Sequence, residues 1–338
     1  MRLLIVTQTV NLRDSDLGFF HRWLEVLARH ADLCVIANYV GEYKLPPNVS
    51  VYSLGKEKGS GRIARFFRYR WLLLKLLWRV DGIFYHMCPE YVLAAGFCPM
   101  LFRKRTLLWY VHKSVTQKLR IAEKLVSGIF TASQESFRAP SKKVQVVGHG
   151  IDTEHFVPDS TRVFSGIQAL AMGRITSIKD TETLIRGMGI LKKQGVRAVL
   201  DVVGEPRTRE DAEYLQKLRN LVKELGIDAE VRFLGTRAYE DVPEVYRSHN
   251  MVLHASRTGS LDKVVLEALA CGVPVFTSSE AYGNLGVIRF PEGNFEVLAE
   301  KLVQYAQQPM YAPEVLRAPV ARDYSLERLI QRIVNFYQ

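Results

Sequence analysis

The sequence predicts an α/β protein with two parallel β-sheets, each covered by helices on both faces. The chain has 338 residues, and a single hydrophobic core usually stops growing at about 250–300 residues, so two domains are expected. Short runs rich in Val, Ile and Leu alternate with longer helical patterns, which is typical of buried parallel strands joined by helices. The pattern starts again after a cluster of Gly and Pro near residues 148–158. We therefore expect two Rossmann-like domains.

In the first half, seven short apolar runs predict strands. They lie at Leu3–Thr7, Leu33–Ala37, Val51–Leu54, Gly82–His86, Thr106–Val111, Ile129–Ala132 and Val144–Val147. Between several of them the apolar residues recur with helical spacing, which predicts helices at Phe19–Arg29, Arg62–Arg79 and Val115–Leu125. These elements form the predicted first domain, residues 1–157.

The second half repeats this scheme. Strands are predicted at Gln168–Met172, Ala198–Val203, Glu230–Leu234, Met251–Ala255 and Val273–Thr277. Helices are predicted at Thr181–Gln194, Glu210–Leu225, Asp241–Ser248, Leu261–Ala270 and Asn294–Gln307. These elements make the second domain, residues 158–322. The remaining segment, 323–338, predicts a helix over Ser325–Tyr337 that packs back towards the first domain, with Ser325 as its cap.

The net charge of +11 is unevenly distributed. Residues 1–157 hold 23 Lys and Arg against 12 Asp and Glu, whereas residues 158–338 hold 23 of each. This asymmetry predicts that the first domain has an extended anionic partner. The apolar runs are too short for a membrane span, and the N-terminus, MRLLIVTQ, reads as a first strand and lacks the features of a signal peptide. We expect a cytoplasmic protein.

The four cysteines, Cys34, Cys88, Cys98 and Cys271, are scattered through apolar surroundings. None forms a close pair with another cysteine or a histidine at the spacing of metal ligands. We interpret them as buried, inert thiols. The sequence predicts neither a bound metal nor a cofactor.

The most informative stretch runs from His254 to Pro274. A predicted strand ends near Ser256, and a turn through Gly259 leads to a helix for which Ser260 is a reasonable N-cap. Such a loop directs unpaired N–H groups and a positive helix dipole at one point, which suits a diphosphate. Lys263 adds a positive charge, and Glu267, one turn further, could accept two ribose hydroxyls. Alternatively, Lys263 and Glu267 are an ordinary surface ion pair at i,i+4 spacing.

A second turn of the same kind follows the predicted strand Gln168–Met172. Arg174 and Lys179 lie five residues apart in this loop and could hold one phosphate group from two sides. The alternative is that both are solvated loop charges.

With these motifs the chain resembles the GT-B-fold retaining glycosyltransferases of family 4, the glycosyl transferases group 1. The resemblance covers most of the chain and is strongest over residues 144–278. It rests on Gly148-His-Gly-Ile-Asp152 with Phe156 and Pro158, Gly173-Arg174 with Lys179, Phe233-Leu-Gly235, Leu266-Glu-Ala268 and Ala270-Cys-Gly-Val-Pro274.

The resemblance implies a GT-B fold, in which two Rossmann-like domains face a central cleft, and transfer of a sugar from a nucleotide donor without a metal. It further implies that Arg174 and Lys179 hold the donor diphosphate and stabilise the departing nucleotide. Glu267 would hold the ribose, and Arg237, in the segment 235–239, would contact the base. The full predicted donor site is Gly259, Ser260, Asp262, Lys263, Val264, Glu267 and Arg237.

The chain departs from the family pattern at one place. The family has a pair of glutamates eight residues apart, and the position of the first is occupied by Gly259. Asp262 and Glu280 are the two alternatives to replace that glutamate, and spacing does not distinguish them. The departure concerns the identity of the sugar, and it leaves open an inactive, non-catalytic nucleotide-sugar-binding relative. A nucleotide-sugar epimerase of the same fold is a further alternative.

In the first domain, His112 follows a predicted strand at a position where the family often has a histidine near the reacting carbon. It is a candidate catalytic residue, with a purely structural histidine as the alternative. The loop after the first strand contains Asp14, Asp16 and Gly18, which we assign to the acceptor side. The two aspartates could equally cap the following helix.

The segment Arg62–Arg79 interleaves six basic residues with aromatic residues and leucines and contains no acid. Such a helix suits an anionic membrane surface, and Arg103-Lys104-Arg105 adds a second basic cluster. The alternative is an internal helix whose charged ends extend from a packed face. Membrane contact would imply a lipid-linked acceptor or a glycan at the inner face of the plasma membrane. Nucleic acid is not expected, because no recognised binding motif accompanies the charge.

Overall fold

The computed structural model describes residues 1–14, 17–112, 114–159, 161–283, 285–308 and 311–338. The chain divides into two compact units, Met1–Gly150 with Leu326–Gln338, and Ile151–Ser325. The second unit therefore begins seven residues before the predicted position 158. The reason is that Ile151 and Phe156, both 1% exposed, pack into the core of the second unit.

Within the described residues, the first unit has a seven-stranded parallel sheet of order β3-β2-β1-β4-β5-β6-β7. The strands are β1 (Arg2–Val10), β2 (Asp32–Val40), β3 (Val49–Ser53), β4 (Gly82–His86), β5 (Arg105–Trp109), β6 (Gly128–Thr131) and β7 (Val144–Val146). Alternate side chains of β1 pack into two different apolar cores, one on each face of the sheet, because successive side chains of a strand point to opposite faces. Both faces of this sheet are therefore buried.

Helices cover the two faces of that sheet. They are α1 (Gly18–Ala28), α2 (Arg62–Leu77), α3 (Pro89–Ala95), α4 (Cys98–Leu101) and α5 (Gln117–Leu125). The short helices α3 and α4 were not predicted, and each begins with a proline in its first turn, where the missing N–H costs nothing. Helix α5 is capped by the Thr116 hydroxyl, which accepts a hydrogen bond from the Leu119 amide.

The described part of the second unit has a six-stranded parallel sheet of order β10-β9-β8-β11-β12-β13. Its strands are β8 (Ile167–Met172), β9 (Ala198–Val203), β10 (Val231–Gly235), β11 (Met251–His254), β12 (Val275–Thr277) and β13 (Ile288–Arg289). Its helices are α6 (Thr181–Lys193), α7 (Arg209–Glu224), α8 (Val242–Arg247), α9 (Lys263–Ala270), α10 (Phe295–Gln307) and α11 (Pro313–Asp323). The predicted fold class, two Rossmann-like parallel-sheet units, is confirmed.

The last helix, α12 (Leu326–Tyr337), belongs to the first unit. Its apolar side chains are almost fully buried, among them Leu329, Ile330 and Ile333, while Arg328 stays exposed. It packs against α1, and the Tyr337 hydroxyl donates to the Ile83 carbonyl at 2.6 Å.

No helix among the described residues has the length and apolar character needed to cross a lipid bilayer.

Candidate functional site

Two of the predicted site residues, Arg174 and Lys179, lie where the second sheet reverses its strand order. β8 lies between β9 and β11, so the connections after β8 and β11 leave the sheet in opposite directions. The carboxyl ends of strands at such a switch point form a crevice that binds ligands in open α/β sheets. The loop after β8 and the end of β11 line an open pocket that includes Arg174, Lys179 and His254.

Glycines let the backbone turn sharply at the rim of this pocket. Gly173 and Gly204 end β8 and β9 with φ of 137° and 148°, a region that other residues rarely adopt. A Cβ atom on Gly204 would lie 1.8 Å from the Gly173 carbonyl oxygen, whereas a Cβ on Gly173 would meet open space. The Gly204 position therefore sets how close the two turns approach.

We expect Gly204→Ala to lower the free energy of unfolding by about 2–4 kcal/mol, because the new methyl group collides with rigid backbone. It should also displace Arg174, which follows Gly173. Gly195→Ala is the matched control: its φ is 70°, but nothing lies within 4 Å of the added atom, so a cost of about 1 kcal/mol is expected. Urea denaturation of both variants measures the difference, and equal costs would contradict the close approach.

The two loops are tied together by ion pairs and a backbone hydrogen bond. Lys179 Nζ lies 2.5 Å from Asp262 Oδ2. Arg257 donates two hydrogen bonds to the buried Asp180 carboxylate, at 2.9 and 3.2 Å, and its amide donates to the Ile178 carbonyl. These contacts join the loop of Arg174 and Lys179 to the loop before α9, so both turns are held in a fixed arrangement at the pocket.

Asp262 is the centre of this arrangement. Its Oδ2 atom also lies 2.9 Å from His254 Nε2, and the other ring nitrogen of His254 contacts the Thr277 hydroxyl at 2.9 Å. Burial raises the pKa of Asp262, but the hydrogen bond to His254 and the charge of Lys179 more than offset it, so the pKa lies well below the usual range. Asp262 is therefore a stable carboxylate beside the pocket, in contact with its lining residues Lys179 and His254.

Arg174 and Lys179 are thus brought to one pocket, as the sequence predicted, but in different states. Arg174 is exposed and makes no ion pair with another described residue, so its guanidinium can bind an incoming anion. Lys179 already has Asp262 as its partner. A phosphate that binds Lys179 must share the ammonium group with that carboxylate or displace it.

Lys263 and Glu267 lie in α9, one turn apart. Glu267 is 9% exposed, and its Oε2 accepts a hydrogen bond from the Tyr246 hydroxyl at 3.0 Å. Burial raises the pKa of Glu267 and lowers the pKa of Lys263, because each charged form loses hydration. The alternative of an ordinary surface ion pair is therefore wrong for this pair. Val264, between them, packs against the apolar core.

One local prediction is wrong. Helix α9 begins at Lys263 and not at Leu261, so Ser260 is not its N-cap. Leu261 is 4% exposed and enters the core ahead of the helix, which delays the helical start. The Ser260 hydroxyl donates instead to the Thr258 hydroxyl at 2.9 Å. Gly259, at the position of the missing glutamate, has φ of 58°.

The structure also gives the present partners of Arg237, the predicted base contact, and of Glu280, one candidate to replace the missing glutamate. Arg237 Nη1 donates to the carbonyls of Leu234 and Thr236, so this guanidinium braces its own loop after β10. Glu280 pairs with Arg289 at 2.7 Å and its side chain is 86% exposed. Of the two candidates to replace the missing glutamate, Asp262 lies beside Lys179 and Glu280 is a surface residue.

The predicted residues of the first unit lie near strand ends but are not gathered into a comparable site. β5 ends at Trp109, so His112 follows it by three residues; it is exposed, and Nδ1 accepts a hydrogen bond from the Ser114 amide at 3.1 Å. Asp14 Oδ1 accepts a hydrogen bond from the Leu17 amide at 2.8 Å within the loop before α1. Leu17 is the N-cap position of that helix and no side chain caps it, so the alternative that Asp14 caps α1 is wrong. Gly18 begins α1, and Asp16 lies outside the described residues.

Sequence reasoning did not single out His254, Tyr246 or Arg257. Each acts through a partner distant in sequence, such as Asp180 for Arg257, and no local pattern reports such pairs. The one available signal was position, since His254 ends β11 at the switch point.

The fold compares directly with solved structures. Anabaena Alr3699/HepE in complex with UDP aligns over 99% of both chains with a TM-score of 0.77 at 17% identity. Sucrose-phosphate synthase from Thermosynechococcus elongatus aligns over 100% of this chain and 98% of that chain, with a TM-score of 0.78 at 14% identity. The chain therefore has the GT-B fold expected from the resemblance.

The sequence comparisons identify the family of the second unit. Residues 161–297 match the family Glycosyl transferases group 1. The mannosylfructose-phosphate synthase of Agrobacterium fabrum is 31% identical over 151 residues, which cover 41% of this chain and 33% of that protein. The D-inositol 3-phosphate glycosyltransferase of Saccharomonospora viridis is 30% identical over 224 residues, which cover 60% and 51%. The chain thus spans about a third to a half of these relatives' length.

The resemblance found in the sequence is therefore confirmed as a match of residues 161–297, within the second unit, to the glycosyl transferases group 1.

Proposed function

We propose that the protein is a retaining glycosyltransferase that moves a sugar from a UDP- or GDP-sugar to a glycan or lipid-linked acceptor at the cytoplasmic face of a membrane. One observation carries this proposal. Two cationic side chains, Arg174 and Lys179, lie at the switch point of a domain that matches the glycosyl transferases group 1, and the buried Glu267 lies in α9, the helix that follows β11.

Each residue has a role in this proposal. Arg174 and Lys179 bind the donor diphosphate and stabilise the negative charge that develops on it as the sugar departs, without help from a metal ion. Glu267 accepts the ribose hydroxyls, and the Tyr246 hydroxyl fixes the carboxylate orientation. Arg237 contacts the base through the guanidinium nitrogens that its own loop does not use.

On the acceptor side, His112 is proposed to act near the reacting carbon, because its ring is exposed after a central strand of the first sheet. Gly18 has no side chain, so the acceptor is proposed to approach the backbone closely at the start of α1. Asp14 and Asp16 remain predictions, and the Asp14 carboxylate already accepts a hydrogen bond from the Leu17 amide.

The relatives support a nucleotide donor. The similar structure of HepE was determined with UDP, and also with UDP-glucose. The sequence relatives are named a mannosylfructose-phosphate synthase and a D-inositol 3-phosphate glycosyltransferase. A uridine donor is therefore the first to test.

The test is a thermal-shift screen of UDP-, GDP- and ADP-sugars with the purified protein. A ligand at about 100 times its Kd stabilises the protein by about 2.7 kcal/mol. Slow release of the nucleotide from the bound donor, lost in Arg174→Ala, identifies an enzyme. Binding without release identifies a non-catalytic relative, and conversion of the donor sugar without an acceptor identifies an epimerase. If no nucleotide shifts the melting temperature, the proposal is wrong.

The membrane part of the proposal rests on the outer face of α2. This face consists of the exposed aromatic and basic side chains of α2 and of Trp78 and Arg79, which directly follow the helix. Trp71 and Trp78 are 59% and 77% exposed. The exposed basic residues of this face are Arg62, Arg68, Lys75 and Arg79. The opposite side of α2 is buried. One face of the helix therefore packs on the core, and its outer face is the one that we propose contacts the membrane.

We expect the protein to bind phosphatidylserine–phosphatidylcholine vesicles and not vesicles of phosphatidylcholine alone. Each basic residue near an anionic surface contributes about 1 kcal/mol, so Arg68→Gln with Lys75→Gln should weaken binding about 30-fold. Vesicle co-sedimentation measures the change. Val163→Ser, a 96% exposed apolar position in the second unit, is the matched control. Equal binding by the double variant and the wild type would contradict this surface.

A further inference from the structure

The first sheet has its own switch point, between β1 and β4, and its apolar face becomes polar there. Leu4 and Val6 of β1 point into the core beneath α2, and the next residue on that face is Gln8. In β2, Ile36 points into the same core and is followed on that face by Asn38. The carboxyl ends of two adjacent strands therefore present side-chain amides where their earlier residues present apolar groups.

A guanidinium from α2 completes this set. Arg65 Nη1 donates to Asn38 Oδ1 at 2.6 Å, and Asn38 donates to Gln8 Oε1 at 3.2 Å. Gln8 in turn donates to the Cys88 sulfur at 3.0 Å, just beyond the end of β4. We call these four residues the Arg65 cluster. Within this cluster the charged guanidinium of Arg65 has only neutral side chains beside it, and these come from β1, β2 and the segment after β4.

In the part of the chain that the structure describes, the positive charge of Arg65 has no negatively charged partner. Its Nε atom is buried and has no hydrogen-bond acceptor. Among those residues no carboxylate lies within ion-pair distance, although Arg232 pairs with Asp201 and Arg257 with Asp180. A charged N–H group shielded from water without a partner destabilises the fold. The cost is offset when a ligand supplies the missing negative charge.

Tyr91 extends the cluster on the side of α3. Burial is the main cause that raises the pKa of Tyr91; the neighbouring Cys88 also raises it, and the positive charge of Arg65 lowers it. The Tyr91 hydroxyl therefore lies within the electrostatic reach of both side chains and stays protonated. It can donate a hydrogen bond to the same ligand. Glu90, next in sequence, is occupied by Lys118 at 3.0 Å.

We propose that the Arg65 cluster binds an oxyanion, a phosphate or a carboxylate, carried by the acceptor. Arg65 supplies a planar fork that matches either group, and Gln8 and Asn38 fix its orientation. The inference rests on the proposed function, because it makes this cluster the acceptor counterpart of the donor pocket in the second unit. It restricts the acceptors to those with an anionic group next to their hydroxyls.

A merely structural Arg65 would brace α2 on the sheet and would ignore ligands. The two possibilities are separated by the Arg65 Nε–H signal in a nitrogen-15 NMR spectrum, assigned by its loss in Arg65→Lys. The probes are inorganic phosphate and glycerol 3-phosphate for the phosphate source, glucuronate for the carboxylate source, and glucose as the neutral control. UDP at saturation keeps the donor pocket occupied.

We expect the signal to shift with the phosphate probes or with glucuronate, whichever matches the acceptor, and not with glucose. Arg65→Gln should raise the Kd of that probe at least tenfold. Arg120→Gln, an exposed position of α5, should leave it unchanged. Equal affinity of wild type and Arg65→Gln, or an equal response to glucose, would overturn the proposal, and a melting curve shows whether Arg65→Gln is folded.

Failure of this proposal and failure of the proposed function are distinguishable. If wild type and Arg65→Gln both bind UDP and the Arg65 signal responds to no anion, the anion-binding role of the Arg65 cluster is rejected. The proposed donor site is then retained. If no nucleotide of the screen binds, the proposed function fails, and the same titration without nucleotide then decides whether Arg65 binds anions.

Discussion

Lys179→Ala is expected to lower kcat/KM for sugar transfer by about 10²–10³, the largest single effect among the pocket residues. The ammonium group lies at the switch point beside the predicted diphosphate, and loss of one group that stabilises developing negative charge costs this much in other enzymes. The loss should exceed simple charge removal because Asp262 stays ionised, and the hydrogen bonds that its carboxylate keeps with His254 and Ser260 do not replace the lost ammonium charge. The pocket would then carry an unbalanced carboxylate that repels the donor.

Steady-state kinetics on the donor identified in the screen measures this effect. Lys193→Ala is the matched control, since Lys193 lies exposed in the last turn of the helix that follows the same loop. Adding Asp262→Asn to Lys179→Ala should restore part of the donor affinity by removing the repulsion. A Lys179→Ala enzyme with wild-type kcat/KM would exclude Lys179 from the diphosphate site.

Glu267→Gln is expected to weaken UDP binding by about 10- to 100-fold. A hydrogen bond to a charged group contributes about 1.5–3 kcal/mol, and the buried carboxylate loses its charge while keeping its shape. Stability should change little, because the substitution also removes the cost of burying that charge. Isothermal titration with UDP and urea denaturation measure the two quantities separately.

Two companion variants make the Glu267 result specific. Tyr246→Phe removes only the hydroxyl that orients the carboxylate, so a smaller loss, of about three- to tenfold, is expected from about 1 kcal/mol. Glu280→Gln changes an exposed carboxylate that pairs with Arg289 and should bind UDP like the wild type. Loss of UDP affinity in Glu280→Gln, with none in Glu267→Gln, would reassign the donor site to the other carboxylate.

The alternation of apolar runs with helical patterns predicted most of the fold. It missed α3, α4, β13 and α11 for physical reasons. The first three are very short, so they give almost no periodicity. Helix α11 contains Pro319, which argues against a helix interior. Its buried Leu316 and Val320 stabilise it through tertiary packing, which no local pattern reports.

The candidate site divides in the same way. Arg174 and Lys179 could be predicted because they follow a strand within one loop, and Glu267 because its helix follows another. The contact between Lys179 and Asp262 joins positions 83 residues apart, so spacing alone left Asp262 and Glu280 as equal alternatives. Ser260 seemed a cap only because local propensity could not include the burial of Leu261.

The placement of α12 in the first unit has a consequence for synthesis. The second unit is one continuous stretch, and its ends meet, since the Ile151 amide donates to the Tyr324 carbonyl at 2.8 Å. The first unit, in contrast, needs Leu326–Gln338 to cover the apolar surface beside α1. On the ribosome the second unit can therefore be complete while the first, although synthesised earlier, still waits for its last helix.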